Sequence, residues 1–439
     1  MAPRNIPADL LSVVFDSVDL PTLCKSSHVS RIWRLVARKH QSYWKTLSLT
    51  TRGMSGGDAA LFLDRLAAKP PNATFGLMLI VPAATTSLAR FVLMSVIWPV
   101  LLEQLPLAEK LTFYISPAYT RVFWPIFTID VPRLRTLHVS LIDSKAPGEP
   151  IPGLFQAHAH TVLEDVTLSN VALSPSPQPV IHTLKSVKAT YHPCETSHLP
   201  RVLAWLPRCQ SLDLMARAGD DPFLTIPSLS STQLQALRHF VVWDYRYLDG
   251  IPFQLIPSLR IAATLDVPTV IIRQLAPTAG LLGVCFLRSY RSALGYHTSG
   301  IVIIASLDRA FVRRFERLPH PNTMTAAFLD AALTVHADRL VILTISLDEL
   351  FPALCQRACI FPRLETLRLV TNGFPDLVPG WSHGAVNCHA LFALVVQQED
   401  QQAEIEITLS ALQEFCRRAI RLADAIRPGQ LLTSNDGHP

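Results

Sequence analysis

A short apolar pattern recurs along most of the chain and limits its fold more than any other feature. It consists of an apolar residue, two others, an apolar residue, one other and an apolar residue. The first positions of five successive copies, from residue 134 to 163, 184, 209 and 237, are 29, 21, 25 and 28 residues apart. The last two apolar positions alternate with other residues, which is typical of a half-buried strand. The copies are Trp44-Leu47-Leu49, Leu134-Leu137-Val139, Leu163-Val166-Leu168, Leu184-Val187-Ala189, Cys209-Leu212-Leu214, Leu237-Phe240-Val242, Leu340-Leu343-Ile345 and Leu364-Leu367-Leu369.

This spacing resembles a degenerate leucine-rich repeat, whose units run about 20–29 residues and each supply one short strand. The resemblance implies an α/β fold class, with an irregular leucine-rich-repeat-like solenoid whose stacked units bury one another's leucines. An ordinary α/β domain with parallel strands is the alternative. Between Leu281 and Leu333 the pattern has no clear register.

The strand residues between the apolar positions are expected to point to the opposite, concave face of such an array. Solenoids of this kind bind partners on that face, although half-exposed strand residues are more often only solvated. The candidate target-binding residues are His138, Thr167, Lys188, Asp213, Val241 and Arg368.

The first forty-five residues differ in character from the rest of the chain. Pro7 suits the first turn of a helix, and Asp19 and Ser30 are good N-caps for a second and a third helix. Three short helices enclose little core, so such a module would gain stability by burying its apolar faces against a partner. The apolar residues of the first helix are Leu10, Leu11, Val14 and Phe15.

The same stretch resembles the F-box motif in order and spacing. The matching residues are Ile6-Pro7-x-Asp9-Leu10-Leu11-x-x-Val14-Phe15, Leu20-x-x-Leu23, Val29-Ser30-Arg31-x-Trp33 and Tyr43-Trp44. Departures from the family pattern are Ile6 for Leu, Asp9 for Glu, and His28 at a commonly apolar position. An F-box followed by irregular leucine-rich repeats resembles the expanded F-box sets of fungi.

The F-box resemblance implies docking on a Skp-type adaptor and, through it, on a cullin. Carried over by position, the adaptor-binding residues would be Pro7, Leu10, Leu11, Leu20, Leu23, Val29 and Arg31, and the F-box core would hold Phe15, Trp33 and Trp44. We therefore expect an F-box-like helical module at 1–46, a leucine-rich-repeat-like α/β array at 47–427, and a flexible tail at 428–439.

Composition narrows the classes of partner. Hydrophobic residues make up 49% of the 439 residues, and charged residues only 17%, which argues against a disordered chain. The net charge of +5 is spread without long basic runs, so we expect no nucleic-acid binding. The most apolar stretch, Phe91–Leu102, has twelve residues, which is short for a membrane span of about twenty. No apolar leader precedes Ile6, so we expect no membrane partner and a cytoplasmic or nuclear location.

The sequence motifs that could indicate metal binding or catalysis are weak. The eight cysteines contain no CxxC pair, and His158 and His160 lack a third ligand nearby, so we expect no metal and no cofactor. Residues 53–57 read GMSGG and fit the GxSxG pattern of a serine hydrolase, with Ser55 as the nucleophile. That elbow normally follows several strands of a sheet, so glycine in an ordinary turn is the preferred interpretation.

The sequence thus predicts a substrate-receptor subunit of an SCF-type cullin-RING ubiquitin ligase, without catalytic residues of its own. The F-box would dock on the adaptor, and the array would bind an unknown protein substrate. The alternative is an interaction scaffold with no role in ubiquitin ligation, and a serine hydrolase built on Ser55 is a third, distant hypothesis.

Overall fold

The chain divides by its internal contacts into two units, Met1–Ala236 and Leu237–Pro439, called unit 1 and unit 2 below. A computed structural model describes residues 6–142, 162–171, 182–191, 208–216, 230–242, 255–261, 282–289, 299–308, 312–318, 333, 337–347, 350–357, 359–371, 384–398 and 409–421. The expected tail at 428–439 and the histidines at 158 and 160 lie outside these residues.

Four short helices open unit 1: α1 (Ala8–Asp16), α2 (Leu20–Ser26), α3 (Arg31–Lys39) and α4 (Gln41–Trp44). The Asp19 carboxylate accepts a hydrogen bond from the Thr22 N–H at 3.0 Å, and the Ser30 hydroxyl accepts one from the Trp33 N–H at 3.3 Å. These caps satisfy backbone donors that a helix leaves unpaired at its N-terminus. The three predicted helices are present, and α4 is an additional single turn.

A parallel sheet of seven strands, hydrogen-bonded in sequence order, follows in unit 1. Each repeated apolar position pairs with the same position on the next strand, so that Leu47, Leu77, Leu111 and Leu137 form one row. All four side chains in this row are buried. The strands are β1 (Thr46–Thr50), β2 (Phe75–Val81), β3 (Ala108–Ile115), β4 (Thr136–Leu141), β5 (Asp165–Ser169), β6 (Ser186–Tyr191) and β7 (Ser211–Ala216).

Helices connect the first strands of unit 1. The first is α5 (Gly56–Ala68). The second is a continuous helical run made of α6 (Ser87–Val92), a π-helical turn (Leu93–Ile97), α7 (Trp98–Gln104) and a 3₁₀ turn (Leu105–Leu107). The third is α8 (Thr120–Phe123), which lies between 3₁₀ turns at Pro117–Tyr119 and Trp124–Thr128. A further helix, α9 (Ser231–Ala236), ends unit 1.

The apolar run forms a longer helix than the sequence indicated. It extends over the 21 residues Ser87–Leu107, which by length and composition alone is enough to cross a membrane. In the fold, the Trp98 ring lies 4.6 Å from the ring of Phe123, which in turn lies 6.5 Å from that of Phe113 in β3. One side of this helix therefore packs into the aromatic core beside the sheet.

Among the described residues of unit 2, eight strands pair in the order β8-β9-β12-β11-β10-β13-β14-β16. They are β8 (His239–Val242), β9 (Ser258–Ile261), β10 (Leu282–Ser289), β11 (Ser299–Ser306), β12 (Val312–Leu318), β13 (Leu340–Ser346), β14 (Thr366–Thr371) and β16 (Ala393–Gln398). The strands β15 (Val386–Asn387) and β17 (Ile420–Arg421) form a separate parallel pair. The described helices are a 3₁₀ turn (Ala337–Arg339), α10 (Leu350–Gln356) and α11 (Leu409–Ala419).

The stretch without a clear register contains an antiparallel insertion. β10 pairs antiparallel with β11, and β11 pairs antiparallel with β12, whereas β12 lies parallel to β9 and β10 lies parallel to β13. The three strands thus cross the sheet in reverse order. A mixed α/β chain with helices at the N-terminus is what the structure shows. The expected leucine-rich-repeat solenoid is not shown, because the parallel order breaks here.

Candidate functional sites

The N-terminal helices enclose a small core of their own. Five buried side chains form its centre, and the Trp33 ring meets the Phe15 ring edge-on at 5.8 Å. Trp33 and Trp44 are partly buried against this centre. The three residues expected to hold the helices together thus lie in or against the core. The central residues are Leu11, Phe15, Leu23, Ala37 and Tyr43.

Two residues expected on the adaptor face belong to this core instead. Leu11 is 1% exposed and Leu23 is fully buried. Leu11 shares its side of α1 with Phe15, one helical turn later, and Leu23 shares its side of α2 with the buried Ser27. Because neighbouring helix positions point about 100° apart, Leu10 faces solvent while Leu11 faces inward. We therefore move Leu11 and Leu23 from the expected docking surface to the core.

The helices leave a second set of large apolar side chains exposed. Leu10 is 57% exposed, Val13 63% and Val29 65%. Since α1 packs against α3, exposed residues of these two helices lie on neighbouring elements. Several exposed apolar side chains within thirty residues mark an interaction surface. We call this set the N-terminal apolar face; it comprises Ile6, Leu10, Val13, Val14, Val29, Ile32 and Leu35.

The sequence prediction covered only part of this face. Pro7, Leu10, Val29 and Arg31 are exposed as expected of adaptor-binding residues, and Leu20 is half-buried. Four exposed apolar residues of α1 and α3 were missed: Val13, Val14, Ile32 and Leu35. The three-residue spacing from Leu10 to Val13 and from Ile32 to Leu35 was the available signal.

A buried histidine fixes the corner between α3 and α4. The Ser42 N–H donates to His40 Nδ1 at 3.3 Å, which assigns the ring proton to Nε2. His40 Nε2 lies 3.1 Å from Asp16 Oδ1 and donates to that carboxylate at the end of α1. The contact ties the end of α1 to the start of α4, and so helps to hold the N-terminal apolar face in place.

A polar row crosses the sheet of unit 1 on the side opposite the buried leucines. His138, Thr167, Lys188 and Asp213 are register partners on β4 to β7, so four of the candidate target-binding residues are adjacent. Lys188 Nζ lies 3.2 Å from Asp213 Oδ2. Partial burial, and then the positive charges of Lys110 and Lys188, lower the pKa of His138.

The other two candidates lie in unit 2. Val241 in β8 is a register partner of Arg260 in β9, and Arg368 in β14 is a register partner of Thr344 in β13. Arg368 is exposed and Val241 half-buried. Both follow the alternation that buries their sequence neighbours, so the local pattern placed them on the polar side of their strands.

The Ser55 motif forms a helix cap. Ser55 Oγ donates to Asp58 Oδ2 at 2.7 Å and accepts from the Asp58 N–H at 3.2 Å, while Asp58 Oδ2 accepts from the Ser55 N–H at 2.9 Å. This is a capping box at the start of α5. Gly53 has a positive φ of 67°, which suits a turn before the helix. These contacts give Ser55 a structural role as the N-cap of α5.

The thiols described are buried or half-buried. Burial raises the pKa of Cys355 and of Cys388 to about 12 and that of Cys209 to about 11. Among the residues that the structure describes, no group of three or more His, Cys, Asp or Glu side chains is placed to hold a metal ion.

Comparison with known families singles out the N-terminal module. The family model for the F-box domain matches residues 4–45, which span α1 to α4 and end where β1 begins. The match supports the identification of the chain as an F-box protein. No curated protein matches the chain. The resemblance to leucine-rich repeats and to the fungal type of F-box protein stays a prediction.

Proposed function

We propose that this protein is the substrate-receptor subunit of an SCF-type cullin-RING ubiquitin ligase, at work in the cytoplasm or the nucleus. F-box domains in general bind Skp-type adaptors, and the family match at residues 4–45 supports that role. The N-terminal apolar face is the observation that carries the proposal. The module has a core of its own, so these exposed side chains are not needed to hold it together.

The adaptor would cover the N-terminal apolar face. Leu10 and Val13 on α1 and Leu35 on α3 are the most exposed large apolar side chains of these two helices. In protein interfaces a few well-packed residues supply most of the binding energy. We assign that part to these three residues, with Pro7 and Arg31 at the edge and Leu20 partly covered.

The polar side of the strands would receive the protein substrate. In unit 1, the row from His138 to Asp213 offers hydroxyl, imidazole and charged groups at regular spacing. In unit 2, Val241 and Arg368 are the candidates. The protein would contribute no catalytic group. By holding its target beside a ubiquitin-charged partner subunit it would raise the effective concentration of the reacting groups.

The test is binding of a purified Skp-type adaptor to the full chain. A triple variant, Leu10→Ser with Val13→Ser and Leu35→Ser, removes exposed apolar surface and spares the core. We expect at least about a tenfold loss of affinity, because hot-spot truncations cost about 2 kcal/mol or more. The matched control is Leu88→Ser with Phe91→Ser, which removes equally exposed apolar side chains from α6 and should leave affinity unchanged.

A folded wild-type chain that does not bind the adaptor would contradict the proposal. The interaction scaffold, in which the strands bind a partner without any ubiquitin ligase, would then be preferred. A serine hydrolase would require activity lost in Ser55→Ala, and the capping box gives no support for it.

A further inference from the structure

The core of the N-terminal helices is completed by a residue beyond the F-box match. Ala68, at the end of α5, packs against the cluster that contains Leu11, Phe15 and Tyr43. α5 also contacts α3, α4 and β1. This helix is therefore shared between the module that carries the N-terminal apolar face and the sheet of unit 1.

Asp64 of α5 binds two side chains of the F-box helices. The Tyr43 hydroxyl donates to Asp64 Oδ2 at 2.7 Å, and the guanidinium of Arg38 lies 2.5 Å from Asp64 Oδ1. Burial and the Asp64 carboxylate both raise the pKa of Tyr43, so its hydroxyl keeps its proton and remains a donor. One carboxylate thus ties α3 and α4 to α5.

Arg65, the next residue of α5, lies across the junction between α4 and β1. It is 4% exposed, and its Nε donates to the Tyr43 carbonyl at 2.6 Å, while its terminal nitrogen donates to the Thr46 carbonyl in β1. The guanidinium is 6.0 Å from the centre of the Tyr43 ring. Burying a cation is costly unless its donors are satisfied, so this geometry strongly favours one arrangement of the junction.

We infer that Asp64 and Arg65 are positioning residues that join the adaptor-docking helices to α5 and β1 of unit 1 as one cooperative body. The docking unit then extends through α5 to Lys69, instead of ending at residue 46 where the sequence placed its boundary. The functional part of this inference rests on the proposed adaptor binding. Through these contacts, an adaptor bound to α1 and α3 would also stabilise α5 and β1, the first strand of unit 1.

Native-state amide hydrogen exchange on the full chain tests the joint without any partner. In the wild type, we expect the amides of Phe15 in α1 and of Leu66 in α5 to exchange through the same opening event, because both elements open together. In Arg65→Met, the Phe15 amide should exchange about tenfold faster relative to the Leu66 amide, since hydrogen bonds to a charged group are lost. Arg52→Met, at an exposed arginine just before α5, is the control and should change neither rate.

A gentler pair of variants covers the case in which Arg65→Met fails to fold. Tyr43→Phe removes only the hydroxyl that reaches Asp64, and Asp64→Asn keeps the acceptor while it removes the charge that pairs with Arg38. Each should separate the two exchange rates by a smaller factor. The inference would be overturned if the Phe15 and Leu66 amides gave the same opening free energy in all three junction variants. It would also be overturned if the two amides gave different opening free energies already in the wild type.

A second arm uses the purified Skp-type adaptor. Bound to the wild type, it should slow exchange in α1 and α3 and also in α5 and β1. In Arg65→Met it should still protect α1 and α3, but no longer α5 and β1, a result that a local packing role would not produce. Binding without spread to α5 in the wild type would overturn the inference and leave the proposed function standing. Absence of binding would contradict the proposed function, and the partner-free exchange rates would still decide the inference.

Discussion

Unit 1 and unit 2 use the same apolar pattern but build their sheets differently. In unit 1 the seven strands pair in sequence order and all are parallel. In unit 2 the parallel order is broken by β10 to β12, which cross the sheet in reverse and antiparallel to one another. The apolar pattern within each strand therefore predicts which residues are buried in both units. It predicts the order of the strands only where each connection leads to another parallel strand.

The insertion also changes what the buried row contains. Along that row of unit 2, Leu259 of β9 and Ile304 of β11 flank Arg313 of β12, which is 1% exposed. An arginine thus occupies a position that the parallel strands fill with leucine, valine or phenylalanine. Buried guanidinium groups need donors satisfied by neighbours, and Arg313 donates to the Pro257 carbonyl at 2.9 Å. The regular unit relies on packing, whereas the insertion adds polar contacts.

The largest expected effect comes from the buried leucine rows that both units share. Leu137→Ala in unit 1 and Leu367→Ala in unit 2 should each lower the free energy of unfolding by about 3–4 kcal/mol, because each leaves a cavity at a fully buried position. Urea denaturation measures the loss. If the two units unfold in separate transitions, each variant should move only the transition of its own unit.

The controls for this prediction lie one residue away on the same strands. Thr136→Ala and Thr366→Ala change half-buried side chains on the polar side and should cost about 0.5 kcal/mol or less. A leucine variant as mild as its threonine control would mean that the apolar row is not what holds that unit together.

The next largest effect should come from the arginine in the insertion. Arg313→Ala should destabilise unit 2 by about 3 kcal/mol, since it leaves a cavity and removes the donor to the Pro257 carbonyl. Arg313→Met keeps most of the volume and should cost less than Arg313→Ala. Thermal unfolding of both variants, with the exposed Arg363→Ala as control, measures the difference. If Arg313→Ala were as stable as the wild type, the polar contacts of Arg313 would not contribute to the stability of the insertion.

Local patterns predicted the features that depend on neighbouring residues. The caps at Asp19 and Ser30 and the buried pairs such as Leu367 and Leu369 follow from spacing within a few residues. Contacts between distant residues were not predictable in this way. The bond from Tyr43 to Asp64 joins residues 21 positions apart, and its partners have no distinctive local pattern.

The docking surface shows the same limit within a single helix. α1 is apolar on two sides, and the sequence alone does not decide which side faces the other helices. The resemblance assigned both Leu10 and Leu11 to the partner, whereas the packing of α1 against α3 buries Leu11. The order of strands β10 to β12 was equally out of reach, because it depends on which strand edges meet after folding.

A smaller effect on stability is expected from ion pairs at the edge of the sheet where the strands begin, and it should differ between the two units. In unit 1, Arg135 lies between Glu109 at 3.5 Å and Glu164 at 3.6 Å, and Lys185 reaches Glu164 at 2.9 Å. Arg135→Met should destabilise unit 1 by no more than about 0.5 kcal/mol, because exposed ion pairs contribute little. The difference from wild type should vanish in 1 M NaCl, where such charges are screened.

The corresponding edge of unit 2 provides the comparison for that ladder of charges. Val341, Glu365 and Phe392 occupy the equivalent positions, linked by backbone hydrogen bonds from Glu365 to Val341 and from Phe392 to Glu365. Glu365→Gln should therefore leave stability unchanged at low and at high salt. A salt-sensitive loss in Glu365→Gln, or none in Arg135→Met at low salt, would show that the two edges do not differ as their charges indicate.

The smallest effect concerns pH and the polar rows. His138 in unit 1 has its pKa lowered from 6.5 by burial and by the charges of Lys110 and Lys188, whereas the candidate on β14 of unit 2 is an arginine, Arg368. In the window between the lowered pKa and 6.5, the unfolded chain binds more protons at this residue than the folded chain does. His138 should therefore make the free energy of unfolding of unit 1 fall as the pH drops below 6.5, and this contribution should stop changing once the folded ring is protonated. NMR titration of the His138 ring gives its pKa directly, and urea denaturation at several pH values should show a shallower slope in His138→Gln. A ring pKa above 6.5 in the folded chain would reverse the sign of this contribution, and would contradict the interpretation that partial burial and the charges of Lys110 and Lys188 disfavour the protonated ring.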